Sequence, residues 1–155
     1  MSTYTIERDI EIEAPVEVVW RTITEPDLIR TWFSDAADVE PRPGAVGSLT
    51  FRADTDAPNI VGITVVVADR PHRFSYRWVY PTGERATEAN STLVTFTIVA
   101  NGDERTRLRV VETGLDQMHM ADDEKQKFFE DHRNGWQVQG DRLRDLFASG
   151  HASSP

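Results

Sequence analysis

Arg8 and Glu112 are the residues whose placement surface solubility explains least. Arg8 interrupts Tyr4, Ile6, Ile10 and Ile12, which share the apolar face of an alternating segment. A charge on a face destined for burial needs a partner. Glu112 lies two residues beyond Val110 on the inward face of the last alternating segment and is the candidate partner. Two readings stand side by side: a salt bridge at the end of a sheet, or an anchor for a carboxylate, phenolate or carbonyl of a ligand. His132 falls one turn before Trp136 on the inner face of a long helical stretch. There it either donates to a ligand oxygen, acts as an acid or base near neutral pH, or is a satisfied half-buried histidine. Gln139 lies about one turn beyond Gly135 and Trp136 on a similar face, and Gly135 and Gly140 are expected to let this helix approach the sheet closely.

Other chemistries are excluded by residue type. The chain has no cysteine, hence no disulfide, thiolate metal site, iron–sulfur cluster or cysteine nucleophile. His72, His119, His132 and His151 show no metal-ligand spacing, and no Gly-x-Ser-x-Gly elbow, His-Glu-x-x-His, Walker loop or dinucleotide fingerprint occurs. No metal or cofactor is therefore expected, and no motif argues for an enzyme. Seventeen Lys and Arg against 26 Asp and Glu give a net charge of −9, which opposes binding to nucleic acid or an anionic membrane. Apolar runs such as Val65 to Ala68 are too short to span a bilayer, and the N-terminus lacks the apolar core of a signal peptide. A cytoplasmic protein, monomeric or weakly dimeric, is the expectation.

The elements that position these residues are legible from periodicity. Residues 4–13 alternate as a strand with Glu7, Asp9, Glu11 and Glu13 on its wet side. Ala14-Pro15 opens a short helix with Val16, Val19, Trp20 and Ile23 on one stripe, and Glu25-Pro26 separates it from a second short helix carrying Leu28, Ile29, Trp32 and Phe33. From about residue 37 the period becomes two, through strands at Leu49 and Phe51, 60–69, 74–80, 91–100 and 105–113; Asn101 to Glu104 is a hairpin signal. Asp122-Asp123-Glu124 starts one long helix that runs to about Ala148. A strand, two short helices, a meander of about six strands and a long helix make an α+β fold with an antiparallel sheet. At 155 residues the chain fits one domain over 1–150, with a disordered tail at 151–155. Arg105, Arg107 and Arg109 face the acidic side of the first strand if the two strands are antiparallel neighbours. Pairing Asp9 with Arg109 brings Arg8 diagonal to Glu112; pairing Glu7 with Arg109 separates them.

Four motifs carry a family resemblance: Ile12 to Trp20 (IEAPVEVVW), Thr24 to Phe33 (TEPDLIRTWF), Pro43 to Gly47 (PGAVG) and His132 to Trp136 (HRNGW). Together they resemble the START-like, or SRPBCC, superfamily, in its bacterial branch similar to the C-terminal domain of the Hsp90 ATPase activator. The likeness extends over about residues 4 to 148. It implies a helix-grip fold, a strongly bent seven-stranded antiparallel sheet around the long C-terminal helix, with a cavity between them. By resemblance that cavity receives small hydrophobic molecules such as lipids, polyketides or steroids. Some members are cyclases or aromatases, some carriers, and some protect antibiotic producers.

The aromatic inventory agrees with such a cavity. Trp20, Trp32, Phe33, Phe51 and Tyr76 fall on the apolar sides of their elements, as do Trp78, Phe96, Phe128, Phe129 and Trp136. Any one of these rings is explained by core packing alone; together they predict a residual apolar pocket with Arg8, Glu112, His132 and Gln139 as its polar groups. Met118 to Met120 and the loop 81–90 are expected at its mouth. The leading expectation is binding or sequestration of a small polycyclic, polyketide or lipid-like molecule, with natural-product self-resistance as a specific version. A cyclase or aromatase on the same cavity and a chaperone-interaction module are the alternatives.

Overall fold

A computed structural model describes residues 4–51, 59–79 and 85–148. The first strand, β1 (Ile6–Ile12), buries Ile6, Ile10 and Ile12 and exposes Glu7, Asp9 and Glu11, as its alternation requires. Helix α1 (Val16–Thr24) begins after Pro15 and buries Val19, Trp20 and Ile23. Helix α2 is a single turn, Pro26–Ile29, so the expected longer helix stops short of Trp32 and Phe33. Those two residues sit on turns instead. The Phe33 N–H still donates to the Ile29 carbonyl at 2.9 Å, and the Trp32 indole N–H donates to the Thr22 carbonyl at 3.0 Å, which pins the turn to α1.

Six further strands follow: β2 (Ala36–Asp38), β3 (Val46–Phe51), β4 (Asn59–Asp69), β5 (Arg73–Val79), β6 (Ser91–Ala100) and β7 (Thr106–Thr113). They form one seven-stranded sheet in the order β1-β7-β6-β5-β4-β3-β2, every neighbour antiparallel. The short edge strand β2 is held close to β3 because a side chain at Gly47 would collide with the Asp38 carbonyl. The predicted hairpin turn is present, with Gly102 at φ +99°. The expected tail at 151–155, Tyr80 and the first part of the 81–90 loop lie outside the described residues.

First and last strands are neighbours in the register that pairs Asp9 with Arg109 and Glu11 with Arg107. Arg107 meets Glu11 at 3.0 Å, Arg105 meets Glu13 at 3.2 Å, and Arg109 bridges Asp9 and Glu7. All are half-exposed, so screening by water leaves them little stabilising value individually. Their consequence is register: a slip by one residue would turn Ile6, Ile10 and Ile12 to solvent.

The long helix α3 (Asp122–Phe147) has 26 residues, about 39 Å at ~1.5 Å per residue. Trp136, Gly140, Leu143 and Phe147 are its buried stripe. A Cβ at Gly140 would come within 3.1 Å of Arg8 Cζ and Ile10 Cδ1, so this glycine lets α3 lie on β1. Gly135 faces open space and makes no such approach, which corrects the expectation for that residue. Among the described residues no helix is long and apolar enough to cross a membrane.

Candidate functional site

Strand β7 turns Thr106, Leu108, Val110 and Glu112 inward, so its last inward position places a carboxylate beneath α3. Glu112 is only 2% exposed and fully engaged. Its Oε1 accepts the Trp136 indole N–H at 2.8 Å, and its Oε2 accepts the Thr92 hydroxyl at 2.6 Å. His132 Nδ1 lies 2.8 Å from Oε2 and 3.0 Å from Oε1. An ionised carboxylate only accepts, so Nδ1 carries the hydrogen; in the neutral ring the lone pair is then on Nε2. Burial pushes the Glu112 carboxyl up, but the His132 charge and the donors on His132, Thr92 and Trp136 outweigh it and hold the group below the usual glutamate range.

That direction fixes a pH dependence. A carboxyl depressed in the folded state stabilises the fold above its unfolded pKa, and this contribution is lost as pH falls through the folded pKa. The stability difference between the wild type and Glu112→Gln is therefore expected to be full at neutral pH and to shrink in acid. Urea unfolding of both proteins across an acid series checks it; a constant difference would contradict the assignment.

Tyr76 is the second buried polar group of the interior. Its inward position on β5 buries it, and its hydroxyl has no hydrogen-bond partner among the described residues. Burial pushes the phenol pKa well above the usual value and the Glu112 charge pushes it further, so the hydroxyl remains protonated near neutrality. A buried donor without an acceptor is costly, about 1–3 kcal/mol, and few native groups are left in that condition.

The structure joins Glu112, His132, Trp136 and Thr92, with Tyr76 close enough to feel the Glu112 charge, but places Arg8 elsewhere. The register brings Arg8 diagonal to Glu112, as one of the two expected registers allows, yet the two side chains do not pair. Space above Gly140 lets the guanidinium lie along α3, donating to the Gln137 carbonyl at 2.8 Å and to Asp141 at 2.7 Å. Glu112 meanwhile is saturated by donors from β6 and α3. Arg8 is thus a clamp between β1 and the helix, which corrects its expected partnership with Glu112. Gln139 accepts a hydrogen bond from Arg142 at 3.4 Å, along the helix, rather than joining the cluster.

Aromatic rings pack continuously around the polar groups. Phe33 stacks on Trp136 at 5.2 Å and on Trp32 at 4.8 Å. Phe51 stacks on Trp78 at 5.8 Å, and Phe96 meets Trp136 edge-on at 5.9 Å. Trp20 packs edge-on against Phe74 at 5.8 Å, within the core beneath α1. His132 is held between the Phe128 face at 3.9 Å and the Trp78 edge at 5.1 Å. Phe129 pairs instead with Tyr4 at 5.5 Å. Among the described residues this packing leaves little of the open space that was expected. The void that Trp32, Phe33, Phe74, Tyr76 and Phe96 line measures about 10 Å³, the space of one water at most.

The cluster nevertheless lies close to the surface. His132 retains 17% exposure of its side chain, and its neighbour Phe128 lines an open groove of about 360 Å³ with Met120, Glu124, Lys127 and Asp131. Thr92 is a site residue that sequence reasoning missed. Its signal was available, since Thr92 is the polar member of the inward series Thr92, Val94, Phe96 and Ile98.

The sequence profile of the Activator of Hsp90 ATPase homolog 1-like protein family matches residues 13–148. No curated protein sequence matches the chain. Among solved structures, it is similar to the protein MLL2253 from Mesorhizobium loti, with TM-score 0.72 and 22% identity over 92% of this chain and 95% of that one. The solution structure of the Aha1 dimer from Colwellia psychrerythraea gives TM-score 0.72 and 16% identity, covering 94% and 97% of the two chains. DynU16, a protein in the dynemicin biosynthetic locus, gives TM-score 0.70 and 20% identity over 96% of this chain and 49% of that one. At these identities the likeness is one of fold.

Proposed function

The chain belongs to the Activator of Hsp90 ATPase homolog 1-like family, and we propose that it binds a small, flat, apolar molecule bearing an oxygen acceptor between the sheet and α3. The observation that carries this reading is the Tyr76 hydroxyl, a buried donor without an acceptor among the described residues, set among stacked rings and within reach of the Glu112 charge. A ligand carbonyl or ether oxygen would satisfy it, and the surrounding rings would supply the apolar contact. Since the void is about 10 Å³, binding requires rings to move. The rings bordering the polar cluster at the rim are the less completely buried Phe33 and Trp78, 9% and 8% exposed, and the half-buried Phe51 and Phe128.

Polycyclic natural products have this chemistry, and the occurrence of a protein of the same fold in the dynemicin biosynthetic locus supports sequestration of such a compound as the specific version. The test is a thermal-shift titration with 2-tetralone, a flat bicyclic ketone, against tetralin, the same skeleton without the oxygen. A site of this kind binds the ketone more tightly. At 100 times its dissociation constant, 2-tetralone would add about 2.7 kcal/mol of apparent stability. Absence of any shift with either compound, up to their solubility limits, would overturn the reading.

A further inference from the structure

We infer that Asn101 is a modification site, where the side-chain amide converts spontaneously to aspartate and isoaspartate by attack of the Gly102 nitrogen. The chain's other Asn-Gly pair, Asn134-Gly135, is protected from the same reaction. Glycine in second place has no side chain to obstruct the approach of its nitrogen, so by sequence the two pairs are equivalent. Their settings differ. Asn101 and Gly102 are exposed in the turn between β6 and β7. Gly102 has φ +99°, with nothing within 4 Å of where a Cβ would stand. Its N–H has no hydrogen-bond partner among the described residues, so the attacking nitrogen is free to reach the side chain before it. Asn134-Gly135 lies inside α3 instead. There a backbone N–H is held by the carbonyl four residues earlier, and helical dihedral angles keep that nitrogen in place.

The reaction needs only solvent. The Gly102 nitrogen gives its proton to water and bonds to Asn101 Cγ. The bond from Cγ to Nδ2 breaks, and that nitrogen leaves with a proton from water as ammonia. One water then opens the succinimide ring that has formed. Cleavage at Cγ leaves aspartate; cleavage at the main-chain carbonyl carbon leaves isoaspartate, with the chain lengthened by one methylene. In either case an amide and a water have become an acid and ammonia. The change is coupled to the sheet, because Asn101 Nδ2 donates to Glu11 Oε2 at 3.2 Å while Arg107 meets Oε1 at 3.0 Å. The turn is thereby tied across β7 to β1. Hydrogen bonds from Arg107 and then Asn101 hold the Glu11 carboxyl below the usual glutamate range. Conversion replaces the Asn101 donor with a second carboxylate, so attraction at this point becomes repulsion.

The experiment holds the full chain, folded and in urea, in mildly alkaline buffer and follows both Asn-Gly pairs by peptide mass spectrometry. Isoaspartate is identified by labelling with protein isoaspartyl methyltransferase. Attack at Asn134 must wait for α3 to open locally, and each 1.4 kcal/mol of opening slows it tenfold, so Asn101 should convert at least about 10-fold faster in the folded protein. In urea the two rates should converge. Asn101→Gln, a change at an exposed position, should abolish the more acidic species that accumulates on anion exchange. Equal rates at the two pairs in the folded protein, or no conversion at Asn101 while the unfolded chain converts, would overturn the inference. Followed by NMR, the Glu11 carboxyl should titrate at higher pH in the converted protein than in the fresh one. An unchanged titration would overturn the coupling to β1.

Discussion

Glu112→Gln is expected to lose about 3 kcal/mol of stability at neutral pH, because the substitution unbalances a buried set of hydrogen bonds while hardly changing volume. The carboxylate accepts from three donors, Thr92, His132 and Trp136, with both oxygens in use. An amide keeps one acceptor oxygen and replaces the other with an NH2 group: in one orientation the Trp136 N–H faces a donor, and in the other the Thr92 hydroxyl must reverse to accept while His132 and Trp136 share the single oxygen. Neither Glu112 nor Thr92 can turn to water, since they are 2% and 1% exposed. The cost should appear in urea unfolding as a lower midpoint with an unchanged slope. A change of less than about 0.5 kcal/mol would mean that the cluster contributes nothing to the fold.

Trp136→Ala has a comparable expected effect, about 4 kcal/mol, for a different reason. This indole stacks on Phe33, meets Phe96 edge-on and donates to Glu112, so its loss opens a cavity and removes a donor together. Trp136→Phe separates the two contributions. It retains most of the ring contact and loses only the donor, for an expected cost of about 1–2 kcal/mol. Added indole provides a direct check on the shape of the space. In Trp136→Ala it should restore part of the lost melting temperature, by filling the gap and returning an N–H to Glu112, and the gain should exceed any shift it gives the wild type. Failure of indole to stabilise the variant would show that the rings collapse into the gap.

The fold was legible because its signals are periodic and redundant. Alternation in residues 6–12 and 106–113 set the inward faces, and the facing rows of acidic and basic residues set the neighbours and limited the register to two choices. Inward placement of His132 and Trp136 followed from helical spacing, and that of Glu112 from strand spacing. Side-chain partners did not follow. Arg8 and Glu112 are diagonal across two strands, and adjacency in a sheet does not say that two long side chains will turn toward each other. The deciding residue was Gly140, whose missing side chain offers Arg8 a path to helix carbonyls and Asp141. Openness of the interior was equally hidden. Ring identities give total apolar area, whereas the stacking of Phe33 on Trp136 and of Phe51 on Trp78 decides whether that area closes on itself. That the Tyr76 hydroxyl has no partner among the described residues could not be read from sequence at all, because it depends on what every neighbouring group has already accepted.

Tyr76→Phe tests most directly whether the interior is organised around a ligand oxygen. Removing a hydroxyl that finds no partner among the described residues should stabilise the protein by about 1 kcal/mol, an uncommon sign for a substitution in a packed core. The same change should weaken 2-tetralone binding about 10-fold, equivalent to about 1.4 kcal/mol, and leave tetralin binding unaltered. Both quantities come from one pair of proteins, by denaturant unfolding and by titration. A more stable Tyr76→Phe protein with impaired ketone binding is the predicted result; a less stable one that binds both compounds as the wild type does would contradict the account.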